Sequence, residues 1–259
     1  RIGATDVCPF IPLENSSMGD CVSLARELGA RVGDELGIAV FLYGAATETR
    51  DRTLANIRRG EYESLASRLR TTEGIPDFGP TELNSSAGAT AIGARDFLIA
   101  WNVNMNSSDA GVAERIAAIL RESGGLERDQ NGVVKQDTNG RPIRVPGRFK
   151  QLQGRGWFIP EYGCAQITFN LLDYRISSLN DVFEACRTEA EKLDCRVTGS
   201  ELIGLTPLDA LLRAGMIYLQ QPANDGSLVE AAVEGLGLNA LRRFNPNERI
   251  IEYAVKAAR

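Results

Sequence analysis

A chain of 259 residues with 43% hydrophobic and 24% charged residues has an ordinary globular composition, long enough for one large domain or two small ones. Its 29 Lys+Arg against 34 Asp+Glu leave a net charge of −5, which argues against non-specific nucleic-acid binding; no apolar run reaches the ~18 residues of a membrane span. It contains no histidine, so Ser-His-Asp and Cys-His catalysis and most zinc sites are excluded, and proton transfer falls to other side chains or to a group outside these residues.

The chain opens Arg1-Ile2-Gly3-Ala4-Thr5-Asp6, without Met, and runs at once into apolar Val7–Pro12, the pattern of a domain interior. Asp6–Leu13 is predicted as a strand. Ser17-x-x-Asp20 resembles a capping box, after which Cys21, Leu24, Ala25, Leu28, Val32 and Leu36 recur at helical spacing until Gly37. Ile38–Ala45 is an apolar strand, completing a β-α-β unit. A second helix is expected over Thr53–Arg70, with Leu54, Ile57, Leu65 and Leu69 on one face, followed by a Gly- and Pro-rich loop over 74–88. Ala89–Ala94 and Phe97–Met105 read as strands. Helix Asp109–Ser123 should bury Val112, Ile116, Ile119 and Leu120.

Residues 127–150 break this pattern. Asn131-Gly132 and Asn139-Gly140 predict type I′ turns in a polar β-ribbon insertion, a solvated excursion more than a binding arm. Strand Cys164–Tyr174 alternates Ala165, Ile167, Phe169 and Leu171 against Gln166, Thr168 and Asn170. Its polar face fits a sheet on a solvent-filled cleft and an exposed sheet equally well. Helix Asn180–Leu193 and strand Arg196–Leu205 make a second β-α-β, Thr206-Pro207 supplies N-cap and N1 chemistry for helix Leu208–Leu219, and a last helix spans Ser227–Leu241. This order predicts two α/β subdomains divided near Gly93–Asp96. The five cysteines (Cys8, Cys21, Cys164, Cys186, Cys195), odd in number and without CxxC spacing, are expected as reduced thiols.

Three constellations could carry chemistry. The loop Pro76-Asp77-Phe78-Gly79-Pro80-Thr81-Glu82-Leu83-Asn84-Ser85-Ser86-Ala87-Gly88 offers backbone amides and hydroxyls to a flat polar ligand, although a structural connector is the plainer reading. Within it, Glu82 could act as a buried acid or bind an amino-pyrimidine edge, although a solvated loop carboxylate is the plainer reading. In the set Arg50, Arg52, Arg58, Arg59, Arg68 and Arg70, interleaved with Glu48, Asp51, Glu61 and Glu63, weak surface pairs are the plainer reading for most, but Arg50 and Arg52 follow a strand's C-terminal end, where open α/β sheets bind ligands and a guanidinium could hold a substrate carboxylate. Gly154-Arg155-Gly156-Trp157 is weak evidence by itself.

An ordered series of motifs runs through the chain: Asp6-Val7-Cys8-Pro9-Phe10-Ile11-Pro12, Phe41-Leu42-Tyr43-Gly44-Ala45-Ala46, Ile57-Arg58-Arg59-Gly60-Glu61-Tyr62-Glu63, Pro76–Pro80, Gly88-Ala89-Thr90, Gly93-Ala94-Arg95, Phe97–Asn104, Gly199–Leu205 and Glu248–Tyr253. Together they resemble the glutamate formimidoyltransferase domain, over nearly the whole chain except 127–150. The resemblance implies two ferredoxin-like-type α/β (α+β) subdomains whose sheets face each other across a ligand tunnel. Residues 1–95 would be the remainder of the N-terminal subdomain, the incomplete one, and 96–259 the C-terminal subdomain. It also implies transfer of the formimino group from N-formimino-L-glutamate to tetrahydrofolate, the co-substrate, in histidine degradation. No metal, nucleic acid or membrane would be involved, the setting would be cytoplasmic, and a homodimer is compatible. The family's folate-contacting stretch falls on Gly79–Gly88. Its catalytic histidine, in a His-Pro pair, would stand immediately before Arg1, so this chain alone is expected to be inactive or nearly so, with an unpaired sheet edge prone to aggregation. The alternative is a non-catalytic folate-binding or scaffold paralogue of the same fold.

Overall fold

Ser17 starts the first helix as the sequence indicates. Its hydroxyl accepts the Asp20 N–H at 3.2 Å, and Asp20 Oδ2 accepts the Ser17 N–H at 2.8 Å. In the computed structural model, which describes residues 1–48 and 52–257, helix α1 (Met18–Leu36) ends at Gly37, left-handed at φ 61. It covers one face of a three-stranded sheet: β1 (Val7–Phe10), β2 (Ala39–Gly44) and β3 (Ala89–Ala94), all parallel, in the order β1-β3-β2. The β1-α1-β2 crossover therefore leaves one place open, and β3 fills it.

The stripe that α1 buries differs from the expected one. It is Cys21, Ala25, Gly29 and Gly33, whereas Leu24 and Leu36 are 49% and 60% exposed. Close approach explains this: a Cβ on Gly33 would sit 2.5 Å from the Gly79 nitrogen, so small residues face inward and the leucines turn out.

The single helix expected over 53–70 is broken in two, α2 (Leu54–Ile57) and α3 (Glu61–Arg68), at Gly60 with φ 73. Arg68 Nη1 donates to the carbonyls of Ile57 and Arg59, both at 2.7 Å, satisfying the open end of α2. Ile57, Leu65 and Leu69 stay buried, against the sheet face opposite α1.

The chain divides into two units, Arg1–Asp96 and Phe97–Arg259. The second begins with β4 (Ile99–Met105) and α4 (Ala110–Leu120), then the short pair β5 (Gly125–Leu126) and β6 (Arg144–Val145). It continues through β7 (Leu152–Ile159), β8 (Cys164–Leu171), α5 (Leu179–Glu191) and β9 (Val197–Ile203). The four long strands form an antiparallel sheet ordered β7-β8-β4-β9. This is the β-α-β-β-α-β arrangement of a ferredoxin-like fold. The fold is thus mixed α/β, with a three-stranded sheet in the first unit and a four-stranded sheet plus the short β5-β6 pair in the second.

Trp101 anchors the second core, fully buried, with ring centroids 6.1 Å from Phe169 and 5.9 Å from Phe183. Val103, Ile167 and Leu171 join it beneath α4 and α5. Ile119, expected inside, is 45% exposed, while Val112, Ile116 and Leu120 are buried.

Three further expectations are corrected. The ribbon turns are not type I′, because only Gly132 and Gly140 have positive φ; Asp129 and Asp137 each accept amides two and four residues on, making type I turns closed by a left-handed glycine. Thr206 does not cap α6 (Leu208–Leu219). Its N–H and C=O bond to Arg249 and Ile251, and the Glu252 carboxylate accepts the Leu208 N–H at 2.8 Å instead. The final helix α7 stops earlier, at Asp225–Gly235, and two unexpected short helices follow, α8 (Pro246–Arg249) and α9 (Ile251–Ala257).

Candidate functional site

The loop before β3 is pinned at both ends. The Asp77 N–H donates to Val40 O at 2.8 Å and the Val40 N–H to Phe78 O at 2.9 Å, which lays the start of the loop on the outer side of β2. Asp77 Oδ2 accepts the Leu42 N–H at 2.7 Å and pairs with the Arg52 guanidinium. At the other end, Asn84 Oδ1 accepts the Ser86 and Ala87 N–H groups at 3.1 and 3.0 Å, and the Tyr62 hydroxyl donates to Ser85 O at 2.9 Å.

Between these anchors, Gly79 packs on Gly33 with φ 81, Pro80 and Leu83 are half-buried, and Thr81, Glu82, Ser85 and Ser86 are exposed. The sequence-predicted segment Gly79–Gly88 therefore presents two kinds of surface. Gly79, Leu83, Asn84, Ala87 and Gly88 hold the loop, whereas the exposed hydroxyls and the Glu82 carboxylate face solvent. Arg52 is only 18% exposed at its side chain and lies over the Phe41 ring, with Cζ 5.9 Å from the centroid, so its guanidinium is engaged inside the unit. Arg50 lies outside the described residues.

A second polar group in the same unit centres on Asp6. Its Oδ1 accepts the Ile2 N–H at 2.9 Å and its Oδ2 pairs with Arg58. Burial alone would push this carboxyl up, but the Ile2 N–H and the Arg58 guanidinium together outweigh that and hold it below its usual value. A depressed folded pKa contributes stability above the unfolded value of 3.8 and loses it as pH falls through the folded one. Arg58→Met is therefore expected to move the Asp6 titration upward in a carboxyl NMR experiment and to bring acid unfolding to a higher pH.

The buried Tyr43 hydroxyl, beside Arg95, was not singled out from the sequence. Burial raises its pKa, opposed by the Arg95 charge. Its position as the last large side chain of β2 was the only available signal.

The third group is in the second unit, on the sheet face opposite α4 and α5. Here β4, β8 and β9 place Asn102 beside Thr168 and Glu201, and Asn104 beside Gln166. Gln166 Nε2 donates to Asn104 Oδ1 at 2.6 Å and to Glu201 Oε1 at 3.1 Å, and Asn102 Nδ2 donates to the same Glu201 oxygen at 3.2 Å. Asn104 and Gln166 are each 1% exposed. Of this face, the sequence reading had only the β8 residues Gln166, Thr168 and Asn170; Asn102, Asn104 and Glu201 were missed. Chemically, the three groups offer hydrogen bonding and, among the described residues, two carboxylates outside any ion pair, the exposed Glu82 and the half-buried Glu201. Among the described residues no cluster of His, Cys, Asp and Glu is placed to hold a metal ion, and no helix is long and apolar enough to cross a membrane.

Comparison with known proteins gives a consistent result across both units. The family description "Formiminotransferase domain, N-terminal subdomain" matches residues 1–95, and "Formiminotransferase domain" matches residues 100–256. The formimidoyltransferase-cyclodeaminase of Mus musculus is 45% identical over 260 residues, covering 98% of this chain and 45% of the relative. The glutamate formimidoyltransferase of Thermoplasma acidophilum is 38% identical over 239 residues, covering 90% of this chain and 71% of the relative. That of Streptococcus pyogenes is 34% identical over 221 residues, covering 85% and 67%. The chain thus spans less than half the length of the cyclodeaminase-named relatives it matches.

Proposed function

Because this chain belongs to the formiminotransferase domain family, we propose that it takes part in moving the formimino group of N-formimino-L-glutamate to tetrahydrofolate. One observation carries this reading: the family match runs through both units in order, and relatives named glutamate formimidoyltransferase cover most of the chain. We assign residues 1–95 to the N-terminal subdomain and 96–259 to the C-terminal one.

In this reaction N5 of tetrahydrofolate attacks the formimino carbon, and the C=N electron pair moves to nitrogen. The tetrahedral adduct then expels the glutamate nitrogen, which must gain a proton to leave as an amine. The chain's own contribution is to bind and orient. Gly79–Gly88 is the folate loop, with Glu82 and the Ser85 and Ser86 hydroxyls presented from a frame fixed by Asp77, Asn84 and Tyr62. Holding both reactants in attack geometry supplies the proximity part of the rate.

Titration of tetrahydrofolate against the intact chain and against Glu82→Ala and Asn84→Ala variants tests the loop. About tenfold weaker binding in each is the expected outcome, from one lost hydrogen bond to a charged group and from one lost turn anchor. Equal affinity in all three would remove the loop from the folate site. A second reading, a non-catalytic folate-binding or scaffold paralogue, is favoured by the absence of histidine. It predicts the same folate affinity without transfer under any condition.

A further inference from the structure

Glu201 is the half-buried end of a hydrogen-bonded chain that leaves polar atoms unused. Asn104 Oδ1 accepts from Gln166 Nε2, which also donates to Glu201 Oε1, and Asn102 Nδ2 donates to that same oxygen. Asn102 Oδ1, Asn104 Nδ2 and Thr168 Oγ1 have no partner, although Asn102 and Asn104 are 8% and 1% exposed. Buried orphans of this kind are destabilising unless a ligand or solvent partner answers them. Among the described residues, Glu201 forms no ion pair, so its charge is answered by two amide hydrogens alone.

An occupant suited to this face is flat, because it lies on a β-sheet between side chains. It brings N–H donors for Glu201 and for Asn102 Oδ1, and positive charge for the carboxylate. We propose that Glu201, with Asn102 Oδ1 beside it, receives the formamidinium end of N-formimino-L-glutamate. This rests on the formimino-transfer reading and adds to it a residue that sets substrate preference.

The formimino group is an amidine and is protonated near neutral pH. Its planar N–C–N unit carries N–H on both nitrogens, the same paired-donor pattern by which guanidinium grips a carboxylate. The charge it brings also keeps its carbon electrophilic towards an amine. The pterin ring of tetrahydrofolate presents donors on a similar edge, but it is neutral and would leave the Glu201 charge unanswered.

The test is calorimetric titration of the chain and of Glu201→Gln with N-formimino-L-glutamate, with N-formyl-L-glutamate and with tetrahydrofolate. The formyl compound replaces =NH by =O and carries no charge at that end. The unmodified chain is expected to bind the formimino compound about 10- to 100-fold more tightly than the formyl one, the range for a hydrogen-bonded charge. In Glu201→Gln that ratio falls towards one while the tetrahydrofolate affinity stays the same, and in Glu201→Asp, which keeps the charge, much of the ratio survives. A ratio near one in the unmodified chain overturns the proposal even if the variants fail to fold. So does a ratio unmoved by Glu201→Gln, or a loss confined to tetrahydrofolate, which would give the carboxylate to the pterin. If the unmodified chain binds neither glutamate compound nor tetrahydrofolate, the formimino-transfer reading itself is refuted. Binding of both with an unmoved ratio refutes only the role of Glu201.

Discussion

Assayed by itself with N-formimino-L-glutamate and tetrahydrofolate, the 259-residue chain is expected to turn over about 10²- to 10⁴-fold more slowly than the Thermoplasma acidophilum relative, the usual worth of a positioned general acid. The departing glutamate nitrogen needs a proton from a group that titrates near neutrality, and the chain has no histidine to supply it. The structure widens that gap. Asp6 and Asp173 are held below their ordinary values by their arginine partners and nearby amides, against the opposing pull of burial. Burial drives Cys8, Cys164, Cys195, Tyr43 and Tyr174 the other way, upward. Every one of these shifts leads away from pH 7. Added imidazole should restore part of the rate, with a pH dependence that follows imidazole's own titration. Turnover matching the relative's without imidazole would show that a side chain in hand donates the proton.

The second large effect is structural. Gly79→Ala is expected to cost about 3 kcal/mol or more, read as a lower denaturation midpoint by circular dichroism. Two penalties combine. A left-handed φ of 81 costs an alanine about 1–2 kcal/mol. Its Cβ would also lie 2.3 Å from the Ile38 carbonyl oxygen and 3.1 Å from Gly33 Cα, so backbone has to move. Gly37→Ala is the control. It has the same kind of φ, at 61, but nothing lies within 4 Å of the added Cβ, and only the first penalty, about 1 kcal/mol, applies. Equal losses in the two variants would show that the contact between α1 and the loop carries no weight. With the loop displaced, the Gly79→Ala chain should also bind tetrahydrofolate more weakly, whereas Gly37→Ala should not.

How much the amino-acid sequence discloses here depends on how far apart the deciding residues lie. Ser17 and Asp20 are three residues apart, and their capping box was readable. The alternation in Cys164–Leu171 is equally local, and Ala165, Ile167, Phe169 and Leu171 are buried as it indicates, although Gln166 on the polar face is buried too. Leu24 and Leu36 misled because hydrophobicity ranks them above Gly29 and Gly33, while the actual constraint is a loop over forty residues away that demands small neighbours. The helix over 53–70 failed for a similar reason: Gly60 permits a break, but only the Arg68 side chain folding back on two carbonyls makes it stable. The site residues show the same rule. Asn102, Gln166 and Glu201 are joined by hydrogen bonds spanning 99 and 35 positions, and no window along the chain contains them together.

Pro9 gives β1 a property that matters at high protein concentration. The carbonyls of Asp6 and Phe10 accept amides from Ala91 in β3 and from Arg95 just after it, so the intervening Val7 and Pro9 turn their backbone groups to the opposite flank, which no strand among the described residues pairs. Proline has no hydrogen to give there. A foreign strand seeking to lengthen the sheet by accretion on that flank finds one amide donor where two would be needed, along a run only four residues long. The aggregation expected of an unpaired sheet edge is therefore blunted on this flank, which is a poorer seed for runaway polymerisation than an uninterrupted strand would be.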